Sequence, residues 1–249
     1  MRVIQCICGE HLESTDDDVF GVLRAHIDST HPDFDITSEN LRETLDAWSG
    51  NEPWDGERRP VAGPIEVKPL SIDTLEDFLA YFDRRAFMDN PFWAGCYCAE
   101  PHHSEVNQQS PAENREQKIE LIRAGVANGV LAYVDGAPVG WCNAAPRATL
   151  PQVLDRILAG TDPDPREHVG AIACFMIAAP WRGSGVGRTL LETACDGFKA
   201  QGFAVAEAYP RKGDLSEARS YHGPLPMYEA AGFERYAETD QHVIVRKQL

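Results

Sequence analysis

Apolar positions along the 249-residue chain recur with two different periods, and the changes of period mark its elements. Near the start, "RVIQC" is short and β-like. "TDDDVFGVLRAHIDST" follows, with Val19, Val22, Leu23 and Ile27 on one helical face behind an acidic first turn. Pro32 stops that helix and drives His31 out of helical geometry. A second helix, "TSENLRETLDAW", opens on a Ser or Thr cap and buries Leu41, Leu45 and Trp48. Then "GNEPWDGERRPVAGP", residues 50–64, holds three prolines and three glycines and shows no period. It divides a front module, residues 1–49, from a body, residues 65–249.

The body opens with a strand, "IEVKPL", and a helix, "SIDTLEDFLAYFDRRAF". An irregular stretch runs through "CYCAEPHH", and a helix, "SPAENREQKIELIRAGVANG", closes at Gly129. "VLAYVDG" and "APVGWCNAA" are strands joined by Asp135-Gly136, a tight hairpin signal. After a short helix, "TLPQVLDRILAG", comes the apolar strand "HVGAIACFMIAA" and the helix "GVGRTLLETACDGFKAQG". Strand "FAVAEAYP", helix "LPMYEAAGF" and strand "HVIVRKQL" end the chain. Helices and strands interleave without a strict parallel repeat. That predicts an α+β fold, a mixed sheet with helices on both faces.

Charge narrows the partners. Asp and Glu number 39 against 23 Lys and Arg, a net charge of −16, which disfavours nucleic acid and anionic membranes and attracts cations. No apolar run approaches the roughly 18 residues of a membrane span, and the start lacks a basic segment followed by an apolar one. The expected setting is the cytoplasm, where seven cysteines act as core residues, metal ligands or reactive thiols.

The most informative stretch is "PWRGSGVGRTLL", with glycines at 183, 185 and 187 between the apolar strand and a helix. Such a turn aims free backbone N–H groups, and the positive end of the helix dipole, at one point. An anion can approach where a Cβ would collide, and Arg182 or Arg188 can add a charged hydrogen bond. A dinucleotide fingerprint would need glycine where Leu190 stands, and a phosphate-binding P-loop would need a lysine that is missing.

The remaining pattern, R-x-x-G-x-G at Arg182, Gly185 and Gly187, resembles the GCN5-related N-acetyltransferase (GNAT) superfamily over residues 64–249. The hairpin "VLAYVDGAPVGWCNAA", the early helix "NREQKIELIRAG" and the late helix "LPMYEAAGF" are similar to that family's elements in the same order. The resemblance implies a mostly antiparallel sheet flanked by helices, with acetyl-coenzyme A as cofactor. It places the coenzyme on Phe175, Met176, Ile177, Arg182, Gly183, Ser184, Gly185, Val186, Gly187 and Arg188. The N–H of Phe175 would polarise the thioester carbonyl, and Tyr228 would be the general acid. A mid-strand Glu or His, frequent in the family as base, is replaced by "GAIACFMIAA", whose one polar side chain is Cys174. Glu167, His168 and Glu207 stand as remote alternatives. Cys174 reads as a small core residue in preference to a nucleophile.

Candidate acceptor contacts are Trp93, Tyr97, Trp141 and Glu207, and the expected substrate is a primary amine of a small, cationic molecule. The first two lie in "NPFWAGCYCAEPHH", where a second metal set (Cys96, Cys98, His102, His103), an acceptor wall and plain packing all remain open. In the front module, Cys6 and Cys8 precede His26 and His31 by seventeen residues, and two thiolates with two imidazoles suit zinc. The module resembles small bacterial domains predicted to bind metal. Its excess of eight acidic over basic residues disfavours a DNA-reading finger. Against the enzyme stand a catalytically idle acyl-coenzyme A-binding or metal-sensing regulator and an interaction module with the front domain as adaptor. Oligomeric state is open, a dimer among the options.

Overall fold

The computed structural model describes residues 1–103, 109–161, 167–213 and 215–249. In the front module, β1 (Arg2–Gln5) and β2 (His11–Ser14) form an antiparallel hairpin, followed by α1 (Val19–Thr30) and α2 (Ser38–Trp48). In the body come β3 (Glu66–Pro69), α3 (Leu75–Arg84), α4 (Pro111–Arg123), β4 (Val130–Val134) and β5 (Ala137–Pro146). Beyond them lie β6 (Val169–Ile177), α5 (Val186–Ala200), β7 (Val205–Ala208), α6 (Leu225–Ala230), β8 (Glu234–Glu238) and β9 (Val243–Gln248). The body strands form one sheet in the order β3-β4-β5-β6-β7-β9-β8, antiparallel except for β6 beside β7. This is the expected mixed, mostly antiparallel architecture.

Two apolar layers enclose the sheet. On one face Phe78, Tyr81 and Phe82 of α3 gather with Trp141 and Cys174. On the other, Val186, Leu190, Leu191, Ala194 and Phe198 of α5 cover Cys142, Ile172 and Phe175. Central β6 has its first seven residues buried, which explains its nearly uninterrupted apolar sequence.

Some boundaries differ from expectation. Helix α4 stops at Arg123, not Gly129. Gly125 adopts φ +67°, and the amides of Gly125 and Val126 fold back to Ile122 and Leu121, a glycine-dependent helix end. Val153–Ile157 winds as a π-helix. Strand β8 was not expected; it is an edge strand with Tyr236 exposed, so it carries no buried face to read.

The segment 50–64 is laid against the body. Trp54 is buried, its carbonyl accepts from Val3 N–H at 2.7 Å, and Arg59 N–H donates to the Pro180 carbonyl at 2.6 Å. Ile4, Leu23, Ile27, Leu41 and Trp48 join the same apolar cluster as Phe78 and Phe87, so module and body share one core. Trp48 is the pin: its indole N–H donates to the Phe87 carbonyl, and the Arg2 guanidinium lies 4.0 Å over its ring. Trp48→Ala is expected to destabilise the whole chain by about 3–5 kcal/mol. Urea unfolding checks it, and a change within about 0.5 kcal/mol would show that the shared core carries little of the stability.

Candidate active site

Strand β6 outlasts its parallel neighbour. Pairing with β7 covers Val169–Ile172 against Val205–Ala208, and β6 then continues alone to Ile177 on that side. Buried backbone groups need partners, and the segment between β7 and α6 supplies them. Phe175 N–H donates to the Tyr221 carbonyl at 2.6 Å, and His222 Nδ1 lies 2.7 Å from the Ala173 carbonyl. A carbonyl can only accept, so Nδ1 carries the proton and Nε2 is bare. Burial first, then His242 and Arg211, push the His222 pKa down to about 3, so the ring is neutral at physiological pH.

A cleft of about 890 Å³ follows this parted edge, well within the size of ligand sites. It runs from the glycine turn, past Phe175, Met176 and Ile177, to Cys174 and Cys98. Gly183 and Gly185 adopt φ +77° and +93°, and a Cβ on either would meet nothing within 4 Å. Their backbone conformation therefore demands glycine, while the space before them is open. Helix α5 begins immediately after, with Gly185 at its N-cap and no side-chain cap, and Gly187 and Arg188 of its first turn line the cleft, where the positive end of the helix dipole lies.

Of the ten residues expected at the coenzyme, nine line this one cleft; Val186 is buried in the core beneath it. Arg182 corrects an expectation. Its guanidinium does not reach toward an anion but is held by buried Asp89 (Nη2 to Oδ1, 2.8 Å) and by Glu217 at 3.2 Å, which leaves Arg188 as the turn's cation. Phe175 N–H lies at the cleft as expected but is engaged by Tyr221. Tyr228 is fully buried beneath the wall; its phenol donates to the His222 carbonyl at 2.7 Å, and burial raises its pKa. A Cβ on Gly223, which does line the cleft, would come within 3.0 Å of that phenol oxygen. One short segment, through two successive carbonyls, thus covers both the Phe175 N–H and the Tyr228 O–H.

Among the expected acceptor contacts, Trp93 lines the cleft and three do not. Tyr97 turns inward to donate to Asp83 at 2.5 Å. Trp141 is fully buried, edge-on to Phe78. Glu207 is buried between Arg147 (3.2 Å) and Arg246 (2.7 Å) and accepts from Tyr209 at 2.7 Å, a closed ionic cluster that also takes up Glu167. His168 stacks on Phe203 at 3.8 Å, so no expected base faces the cleft. Sequence reasoning missed His222 and the buried Lys118 beside the thiols of Cys96, Cys98 and Cys174; their places depend on tertiary contacts that no local pattern announces.

The front-module ligands converge. One donor atom from each of Cys6, Cys8, His26 and His31 lies within 4.8 Å of all the others, the single such group among the described residues. Cys6 Sγ is 3.4 Å from His31 Nε2, and Cys8 Sγ is 3.6 Å from His26 Nε2. Tetrahedral zinc with ordinary bond lengths separates its ligands by roughly 3.5 Å, so the set fits. Glu10 Oε2 stands 3.6 Å from His26 Nδ1, the outer partner that orients a ligating imidazole. Cys96, Cys98, His102 and His103 do not form a comparable group among the described residues.

Residues 92–223, more than half of the chain, match the family model described as the acetyltransferase (GNAT) family, and the chain belongs to that family. No curated protein matches it. Among solved structures it is similar to the polyamine N-acetyltransferase of Drosophila melanogaster, at 13% identity over 75% of this chain and 100% of that one, TM-score 0.47. It is similar also to a ribosomal-protein-alanine N-acetyltransferase from Brucella melitensis (17%, 74% and 99%, TM-score 0.46). A third is the PaiA N-acetyltransferase of Thermoplasma acidophilum in complex with coenzyme A (15%, 75% and 100%, TM-score 0.43).

Proposed function

We propose that this chain is an acetyl-coenzyme A-dependent N-acetyltransferase that modifies a primary amine on a small, cationic molecule. The observation that carries the reading is the open glycine turn in line with the edge of β6 that β7 leaves without a strand partner. The amides of Gly183–Arg188 would hold the pyrophosphate, with the Arg188 side chain beside them. The edge at Met176 and Ile177 would pair with the pantetheine arm. Phe175 N–H would bind the thioester oxygen, where its dipole stabilises the charge that develops as the carbon becomes tetrahedral. Tyr228, kept protonated by burial, would donate to the departing sulfur. Both groups require Tyr221–Gly223 to withdraw, because its carbonyls hold them now.

The excess of 16 negative charges favours a cationic acceptor, and Trp93 and Glu100 stand on the wall that would receive it. Zinc on Cys6, Cys8, His26 and His31 would be structural, since four protein ligands leave no open position. Seven free cysteines suit a cytoplasmic setting. A second reading, an idle acyl-coenzyme A-binding regulator, draws on the same covered donors at Phe175 and Tyr228. Release of free thiol from acetyl-coenzyme A with a panel of amines separates the two, and only the enzyme turns over.

Two variants test the assignments. Gly185→Val places a side chain at φ +93° in the mouth of the turn. It should weaken acetyl-coenzyme A at least about tenfold in calorimetric titration, a loss of about 1.4 kcal/mol. Unchanged affinity in a folded variant would remove the pyrophosphate from this turn. For the metal, elemental analysis of purified protein should find zinc that Cys8→Ser loses and His11→Ala keeps. His11 is elsewhere, its ring against Trp54, so equal zinc in all three proteins would put the metal outside the cluster.

A further inference from the structure

At the end of the cleft away from the glycine turn stands a group of buried polar atoms that the acetyl-transfer scheme above does not use. Cys98 lies on the cleft wall with Cys96 and Cys174. Its residue, like Tyr97 before it, adopts a left-handed backbone (φ +51° and +42°), strained for a side chain other than glycine. Asn143 Nδ2 donates to Cys98 Sγ at 3.3 Å. Lys118 is fully buried; its Nζ has no hydrogen-bond partner among the described residues and lies 6.0 Å over the Phe78 ring, among the three thiols. The Trp141 indole N–H beside Cys98 likewise has no other partner among the described residues. Burial lowers the Lys118 pKa, because an unpaired ammonium in an apolar interior is costly; the neighbouring thiols oppose that shift, and a thiolate is the group that can hold the charge here.

The three thiols differ. Burial pushes Cys96 up to about 12, and Cys174 is raised as well. Cys98 is lowered to about 6, by the hydrogen bond from Cys174 first and by Lys118, Trp141 and Asn143 after it, against the opposing effect of burial. Of the three thiols Cys98 is the one whose surroundings favour the thiolate, and it stands on the cleft wall with Asn143 donating to its sulfur, the arrangement of an activated nucleophile.

We infer that Cys98 is a catalytic nucleophile: its sulfur takes the acyl group from the coenzyme and passes it to the amine. The inference rests on the coenzyme reading given above. In the first half, Cys98 Sγ attacks the thioester carbon; the new C–S bond forms, the coenzyme's C–S bond breaks, and the electron pair leaves on the coenzyme sulfur, which takes a proton. Exchanging one thioester for another needs no base when the nucleophile attacks as the thiolate that Lys118, Trp141 and Asn143 favour. In the second half the amine attacks the Cys98 thioester, Sγ leaves as thiolate, and the amine's proton goes to solvent. A two-stage route of this kind also suits a cleft whose central strand carries no carboxylate or imidazole.

The test omits the acceptor. Full-length protein is incubated with acetyl-coenzyme A alone and followed by intact mass, peptide mapping and thiol release, with coenzyme binding measured by calorimetry. Expected are one acetyl group per chain, mapped to Cys98 and removed by hydroxylamine, and a matching burst of free coenzyme A. Cys98→Ser should bind coenzyme and lose the burst. Lys118→Met should bind it too and acylate about tenfold or more slowly, as a raised thiol pKa requires. Coenzyme bound without an adduct on Cys98, or an adduct confined to exposed Cys8, would overturn the covalent route and leave direct transfer. Absence of coenzyme binding in the unaltered protein would overturn the underlying reading, and the nucleophile with it.

Discussion

Everything about this site depends on where β6 loses its neighbour. A strand buried in the middle of a sheet cannot leave its N–H and C=O groups unpaired without a cost of about 1–3 kcal/mol each. Beyond Ile172, β7 has ended and β6 has not. Either a ligand or another part of the chain has to satisfy the exposed edge. Here Tyr221, His222 and Arg182 do so, and the cleft runs beside them. The Tyr221 carbonyl on Phe175 N–H is chemically the same kind of acceptor as a thioester oxygen, so on the function proposed above the chain itself occupies the substrate carbonyl's position.

The covering segment is tied to three other parts of the molecule. Ser216 Oγ donates to the Ile7 carbonyl at 2.8 Å, inside the turn that carries Cys6 and Cys8. Glu217 accepts from Arg58, in the segment joining module to body, and from Arg182 at the glycine turn. Arg182 is in turn fixed by fully buried Asp89, and removing one partner of so enclosed a pair costs about 3–5 kcal/mol. The arginine of the R-x-x-G-x-G pattern therefore acts here as a bracket for the turn.

Local chemistry was legible in the sequence and long-range chemistry was not. Gly183 and Gly185 could be read because a left-handed backbone in front of a helix writes itself as glycine, and Asp135-Gly136 because a two-residue hairpin has few solutions. Cys6, Cys8, His26 and His31 could be paired because a proline fixes where α1 ends. Which way a strand residue points is decided elsewhere. A register shift between Asn143 and Ala144, and another between Ala132 and Tyr133, reset the alternation along β5 and β4. Trp141 and Glu207 fell on buried faces that sequence spacing alone does not assign. The Arg182–Asp89 pair spans 93 residues, and the Lys118 environment joins α4, α3, β6 and the Cys98 loop; neither leaves a local trace.

The most direct measurement is the behaviour of the Phe175 amide while acetyl-coenzyme A is titrated into isotopically labelled protein, read by two-dimensional NMR. If the edge of β6 beyond β7 is the coenzyme slot, that amide and those of Gly183, Gly185 and Gly187 shift together and saturate in a single binding curve. Tyr221 and His222 should change environment in the same curve as they leave the edge. Saturating coenzyme that leaves the Phe175 amide and the glycine turn unmoved would contradict the assignment and place the binding site elsewhere.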